Sequence, residues 1–119
     1  MAKILIADDS AFMRKVIRNA LEKIGHKDII EVANGTDAIN KYKSDKPDLV
    51  LLDIIMPDVG GIDVLRSLIK IDKEIKVIMV TAVGQDAMVD ECNQLGAKGY
   101  IIKPFDEKKI KEAIGNVLK

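Results

Sequence analysis

Five short apolar runs recur along the chain. Each is followed by a stretch in which apolar residues return every three or four positions, and this alternation restricts the fold more than any other feature. The runs are "KILIA" (3–7), "DIIEVA" (28–33), "LVLLD" (49–53), "KVIMVT" (76–81) and "GYII" (99–102). In the first, third and fourth, successive residues are apolar, so a strand there needs cover on both faces. Interior strands of a parallel sheet meet that demand. The second run is more mixed and suits an edge.

The stretches between the runs read as helices. From Ser10, an N-cap residue type, Met13, Val16, Ile17, Ala20, Leu21 and Ile24 trace one face up to Gly25, a C-terminal stop. Ala38, Ile39 and Tyr42 mark a second helix that ends before Pro47, with "KSDKPD" read as a solvated loop. Ile62, Leu65, Leu68 and Ile69 mark a third. Met88, Cys92 and Leu95 mark a fourth, stopped by Gly96. Ile110, Ala113, Ile114, Val117 and Leu118 mark a fifth. Strict β–α alternation predicts an α/β fold, a doubly wound five-stranded parallel sheet with five helices. No linker, repeat or low-complexity segment interrupts the 119 residues, so residues 1–119 read as a single domain.

Charge narrows the function classes. Lys plus Arg and Asp plus Glu both number 19, and this balance excludes the basic footprint of a nucleic-acid binder. The one cysteine, Cys92, allows no internal disulfide and fits a reducing compartment. "MAKILIADDS" has a short apolar run that ends in two aspartates, unlike a signal peptide. No apolar stretch reaches membrane-spanning length. The expectation is a cytoplasmic protein with no membrane or nucleic-acid partner. His26, just past a helix stop, reads as a solvated loop residue.

Ligands of a doubly wound sheet sit outside the carboxyl ends of its strands. Asp8 and Asp9 follow the first run, Asp53 ends the third, Thr81 ends the fourth with Ala82 after it, and Lys103 and Pro104 follow the fifth. Any one of these acids could be a helix cap, as Asp9 or Ser10 could be for the first helix. Three carboxylates at one edge repel one another and raise one another's pKa, unless they share a proton or hold a hard cation. Oxygen ligands with open positions suit Mg²⁺, which readily takes a phosphate oxygen as well. A carboxylate can attack phosphorus, and a cation with an ammonium can neutralise the equatorial oxygens of the transition state.

The segments "IADDSAFMRK" (6–15), "LLDIIMPDVGGID" (51–63), "VTA" (80–82) and "IIKPF" (101–105) together resemble the receiver domains of two-component signalling. The likeness spans nearly the whole chain. It is strongest to stand-alone chemotaxis response regulators of the CheY type. The resemblance implies a flavodoxin-like sheet in the order 2-1-3-4-5, carried over from that family. It implies that Asp53 accepts a phosphoryl group from a chemotaxis-type histidine kinase. Asp9, Asp53 and the carbonyl of Ile55 would bind Mg²⁺ directly, with Asp8 supporting through water. Thr81, Ala82 and Lys103 would contact the phosphoryl group, Tyr100 with Thr81 would form the switch, and the Lys103–Pro104 bond would be cis. The partner would be a flagellar switch protein or an archaellum adaptor. It would read the face made by the fourth helix, fifth strand and fifth helix of a monomer.

Two departures from the family carry expectations of their own. Ile55 and Val83 are apolar where relatives can place polar side chains that orient a hydrolytic water, which predicts a long-lived phosphorylated form. Asp86 and Asp90 face outward on the fourth helix as a like-charged i, i+4 pair, a cost of about a few tenths of a kcal/mol. The helix dipole explains Asp86 but not Asp90, which lies past the first turn. An acidic face predicts a basic partner. Competing readings are a receiver in a phosphorelay or developmental pathway and an aspartate-dependent phosphatase. The phosphatase pattern wants a second acid two residues after the nucleophile, where Ile55 stands. A nucleotide-binding fold lacks its G-x-G-x-x-G, since "ADDSAF" follows the first run.

Overall fold

The computed structural model describes residues 2–118. The chain alternates strand and helix throughout: β1 (Lys3–Ala7), α1 (Ala11–Lys23), β2 (Asp28–Val32), α2 (Gly35–Asp45), β3 (Leu49–Leu52), α3 (Gly61–Ile71), β4 (Val77–Thr81), α4 (Asp86–Leu95), β5 (Gly99–Ile102) and α5 (Glu107–Val117). The strands form one sheet in the order β2-β1-β3-β4-β5, every pair parallel. β1, β3 and β4 are the interior strands, and the mixed run lies at an edge.

Side-chain alternation along the strands splits the core in two. Leu5, Ala7, Val50, Leu52, Val77 and Met79 face the layer that carries Ala38, Val64, Leu65, Leu68 and Cys92, from α2, α3 and α4. Ile4, Ile6, Leu49, Leu51, Ile78 and Val80 face Ile17, Leu21, Ile110 and Ile114, from α1 and α5. Each such side chain contributes about 1.5–3 kcal/mol by leaving water. Leu51, 1 % exposed, is buried in the α1–α5 layer, and its truncation to Ala would destabilise the fold by about 3 kcal/mol.

Local chemistry sets the ends of the helices. The Ser10 hydroxyl accepts from the Met13 amide (3.1 Å) at the start of α1. At its end, Gly25 adopts φ +97°. Its amide donates to the Glu22 carbonyl, and the His26 amide donates to that of Leu21. These paired bonds form a Schellman motif, which satisfies carbonyls that the helix leaves open. Three details differ from the sequence reading. α2 runs through Lys43, Ser44 and Asp45 and stops because Lys46 turns to φ +46°, so half of "KSDKPD" is helix. Val64 joins the buried face of α3. His26 is drawn into the Schellman turn, half-buried, with Nδ1 shut off from water and unpartnered.

Candidate functional site

The carboxyl edge of the sheet gathers the acids. Asp8 follows β1 and Asp53 follows β3, and the two segments are tied by the Asp53 amide, which donates to the Ala7 carbonyl (3.0 Å). Asp8 is 2 % exposed and Asp53 6 %, whereas Asp9 is exposed. One oxygen from each of Asp8, Asp9 and Asp53 falls within 4.8 Å of the other two.

Lys103 enters from the segment after β5. Its Nζ donates to Asp8 Oδ2 (2.6 Å) and to Asp53 Oδ2 (2.9 Å). Burial works against this ammonium, but the hydrogen bonds and charges of the two carboxylates outweigh it and hold the Lys103 pKa above the ordinary lysine value. The Lys103 amide donates to the Thr81 carbonyl (2.8 Å), and the Lys103–Pro104 peptide is cis. The basic group that "LVLLD" lacks in sequence is therefore supplied by a residue 50 positions away.

The acids are held in different ways. Asp8 Oδ1 accepts from the Ser10 amide (2.9 Å) and Oδ2 from Lys103, so both its oxygens have protein donors. Asp53 Oδ1 accepts from the amides of Ile54 (2.7 Å) and Ile55 (3.3 Å). Among the described residues no protein donor reaches the Asp9 carboxylate, which faces solvent. This donor set is all oxygen, partly buried, with one acid free. It fits a hard divalent cation and leaves room for water and a phosphate oxygen.

Thr81 is fully buried and ends β4 beside the cluster. Its Oγ accepts from the Val83 amide in a long 3.4 Å bond. Tyr100, half-buried on β5, donates its hydroxyl to the Val83 carbonyl. Burial, then the charges of Cys92 and Asp53, push the Tyr100 phenol up from its usual value. The two residues predicted as a switch pair thus both contact the backbone of Val83, Thr81 at its amide and Tyr100 at its carbonyl. Ala82 and Ile55 are exposed, Ile55 to 64 %.

Sequence reasoning missed two supports. Arg14 donates to the Asp8 carbonyl and, through Nε, to Glu31 (3.2 Å), which Arg18 also holds (2.6 Å). The Asp8 backbone is therefore braced by α1 and β2 together. The Val83 side chain gives no hint of the bonds made by its amide and its carbonyl. A groove of about 570 Å³ between α1 and α2 is lined by Arg14, Glu31, Asp37 and Lys41 and by none of the clustered acids. Its charges are mixed, and Arg14 is paired with Glu31.

Comparisons with known proteins agree with this geometry. The sequence model of the response regulator receiver domain matches residues 4–115. The chain is 44 % identical over 117 residues to the chemotaxis protein CheY of Thermotoga maritima, covering 98 % of each. It is 45 % identical over 116 residues to CheY of Bacillus subtilis, covering 98 % of this chain and 97 % of the relative. Among solved structures, a chain of the CheX-CheY-BeF3-Mg+2 complex from Borrelia burgdorferi superposes with a TM-score of 0.96 at 36 % identity, covering 99 % of this chain and 90 % of that one. Fold, motif positions and relatives converge: the chain belongs to the response regulator receiver domain family.

Proposed function

We propose that the chain is a chemotaxis response regulator whose Asp53 accepts a phosphoryl group from the phosphohistidine of a histidine kinase. A P–N bond of the phosphohistidine breaks as a P–O bond forms to Asp53. The imidazole leaves with the electron pair and regains a proton from water. The observation that carries this reading is the buried Asp53 carboxylate, held by Lys103 inside a cluster with Asp8 and Asp9.

Asp9, Asp53 and the Ile55 carbonyl are the ligands we assign to Mg²⁺. Asp8, the most buried of the three acids, acts through water. When bound, the cation neutralises charge on the transferring group. Lys103 is protonated at neutral pH and stands where phosphoryl oxygens arrive. The backbone amides of Ile54 and Ile55 aim the Asp53 carboxylate. Thr81 offers a hydroxyl whose present contact is weak. The structural relative's complex, which carries Mg²⁺ together with BeF3, supports this assignment.

The output follows from the two backbone contacts at Val83. Phosphorylation adds acceptor oxygens to which the Thr81 hydroxyl can donate. Turning toward them shifts its contact with the Val83 amide, and the Val83 carbonyl carries that shift to Tyr100. The α4–β5–α5 face then changes, and a chemotaxis partner reads it. Asp86 and Asp90 are exposed on that face, which favours a basic partner surface.

The test is incubation with acetyl phosphate and Mg²⁺. A receiver accumulates one acyl phosphate per chain, whereas an aspartate-dependent phosphatase releases phosphate continuously with no stable adduct. Continuous turnover would refute the reading.

A further inference from the structure

The segment that follows Asp53 is anchored at a distance by an acid that no motif assigns. Asp58 is a non-glycine residue at φ +60°, a conformation that Asp and Asn tolerate better than other side chains. The Val59 amide donates to the Pro57 carbonyl (2.9 Å) around it, the i to i+2 bond of a γ-turn. The Asp58 carboxylate accepts from the amides of Gly35 (3.0 Å) and Thr36 (3.2 Å) and from that of Val59. Thr36's side chain, opposed by desolvation and aided by the amides of Val59, Thr36 and Gly35, holds the Asp58 carboxyl below the usual carboxylate range.

Those two amides are the first donors of α2, which the helix itself cannot satisfy. Asn34 takes the next one, accepting from the Asp37 amide (2.8 Å). The contact is also tight sterically. A Cβ on Gly35 would lie 2.1 Å from the Val59 carbonyl oxygen, and one on Gly61 would lie 1.9 Å from that of Asp53. The Gly61 amide donates to the Ile54 carbonyl (2.8 Å). The loop 54–60 is thus pinned at one end by α3 and at the other by α2.

We propose that Asp58 is a positioning residue for the phosphorylation site. By clamping the loop to the start of α2 it fixes the Ile54 and Ile55 amides that aim Asp53, and the Ile55 carbonyl assigned to the cation. This rests on the Mg²⁺ and phosphoryl reading given above.

Glycine accepts φ +60° freely but removes the carboxylate, so Asp58→Gly isolates the anchor from the turn. Asp58→Asn keeps one acceptor oxygen and the same backbone tolerance. The full-length chain is titrated with Mg²⁺ by calorimetry, and its phosphorylation by acetyl phosphate is followed in parallel. Melting is recorded in EDTA. Loss of an outer-shell support weakens metal binding by about tenfold, so Asp58→Gly is expected to bind Mg²⁺ about tenfold more weakly and to be phosphorylated more slowly at saturating donor. Asp58→Asn is expected to recover most of the difference. A lower melting temperature with unchanged Mg²⁺ affinity in Asp58→Gly would overturn the proposal and leave Asp58 a structural cap. If Asp58→Gly does not fold, Asp58→Asn is compared with the unmodified chain directly. Equal Mg²⁺ affinity and phosphorylation rate in these two, with Asp58→Ala no weaker, would also overturn it. Failure of the unmodified chain to bind Mg²⁺ at all would instead contradict the functional reading itself.

Discussion

The two edges of the same sheet are built on opposite electrostatic plans. At the amino edge, charged groups are matched and wet: the Lys3 amide donates to Asp48 (2.7 Å), and the Lys3 ammonium reaches the Asp45 carbonyl (3.4 Å). Tyr42 donates to Asp72 (3.1 Å) at the foot of α3. At the carboxyl edge, acids are crowded and partly dry. Among the described residues the buried polar side chains are Asp8, Asp53 and Thr81, and all three lie there. One edge minimises electrostatic cost. The other keeps a surplus of negative charge around Lys103, an arrangement that stability alone does not favour. The difference coincides with the proposed phosphorylation site.

The largest expected effect comes from removing the proposed nucleophile. Asp53→Asn should abolish labelling by acetyl phosphate, read by intact mass. Next is the buried cation. Lys103→Met leaves Asp8 and Asp53 facing each other unpaired. It should destabilise the Mg²⁺-free fold by about 3 kcal/mol, measured by denaturant unfolding. The sign of its pH dependence follows from the raised Lys103 pKa. A group whose pKa is higher folded than unfolded stabilises fully below the unfolded value and ceases to do so as pH rises through the folded one. The gap between the unmodified and Lys103→Met chains should therefore hold at neutral pH and narrow only above about pH 10.4.

Asp9→Asn should act in the opposite direction. It relieves repulsion without breaking a protein hydrogen bond, so the fold should gain about 1 kcal/mol in EDTA while Mg²⁺ binding is lost. If Asp9→Asn destabilises the chain, the surplus of charge is not what distinguishes this edge. The smallest effect belongs to the amino edge. Asp48→Ala should change stability by no more than about 1 kcal/mol and leave phosphorylation untouched.

A further variant sharpens how the carboxyl edge controls time. Ile55, exposed to 64 %, and Val83 flank the site with no polar side-chain atom to orient water. Ile55→Asn with Val83→Glu should speed loss of the phosphoryl group by about a hundredfold, the lower end of what a positioned acid–base group contributes, with Asn helping to orient the water. An unchanged rate would remove these positions from any account of lifetime.

Much of this contrast was readable in the amino-acid order. Strand period and glycine stops placed the elements to within a residue or two. The rule that ligands gather at strand carboxyl ends brought Asp8, Asp53, Thr81 and Lys103 together before any coordinates. What escaped notice depended on backbone geometry. The role of Asp58 requires φ +60° and two amides over 20 positions away, and acids in loops are ordinary in sequence. Val83 acts through its backbone, to which its side chain is indifferent. Arg14 braces the Asp8 carbonyl, a contact that no sequence pattern marks. α2 does end before Pro47, but it takes in Lys43–Asp45 of the expected loop because the turn comes only at Lys46.

The central claim is that the acidic edge exists to phosphorylate one carboxylate. The direct measurement is to treat the chain with acetyl phosphate and Mg²⁺, reduce the acyl phosphate with borohydride, and map the modified residue by peptide mass spectrometry. The account predicts reduction at Asp53, dependent on Mg²⁺ and absent in Asp53→Asn. Modification at another residue, or none at any Mg²⁺ concentration, would contradict it.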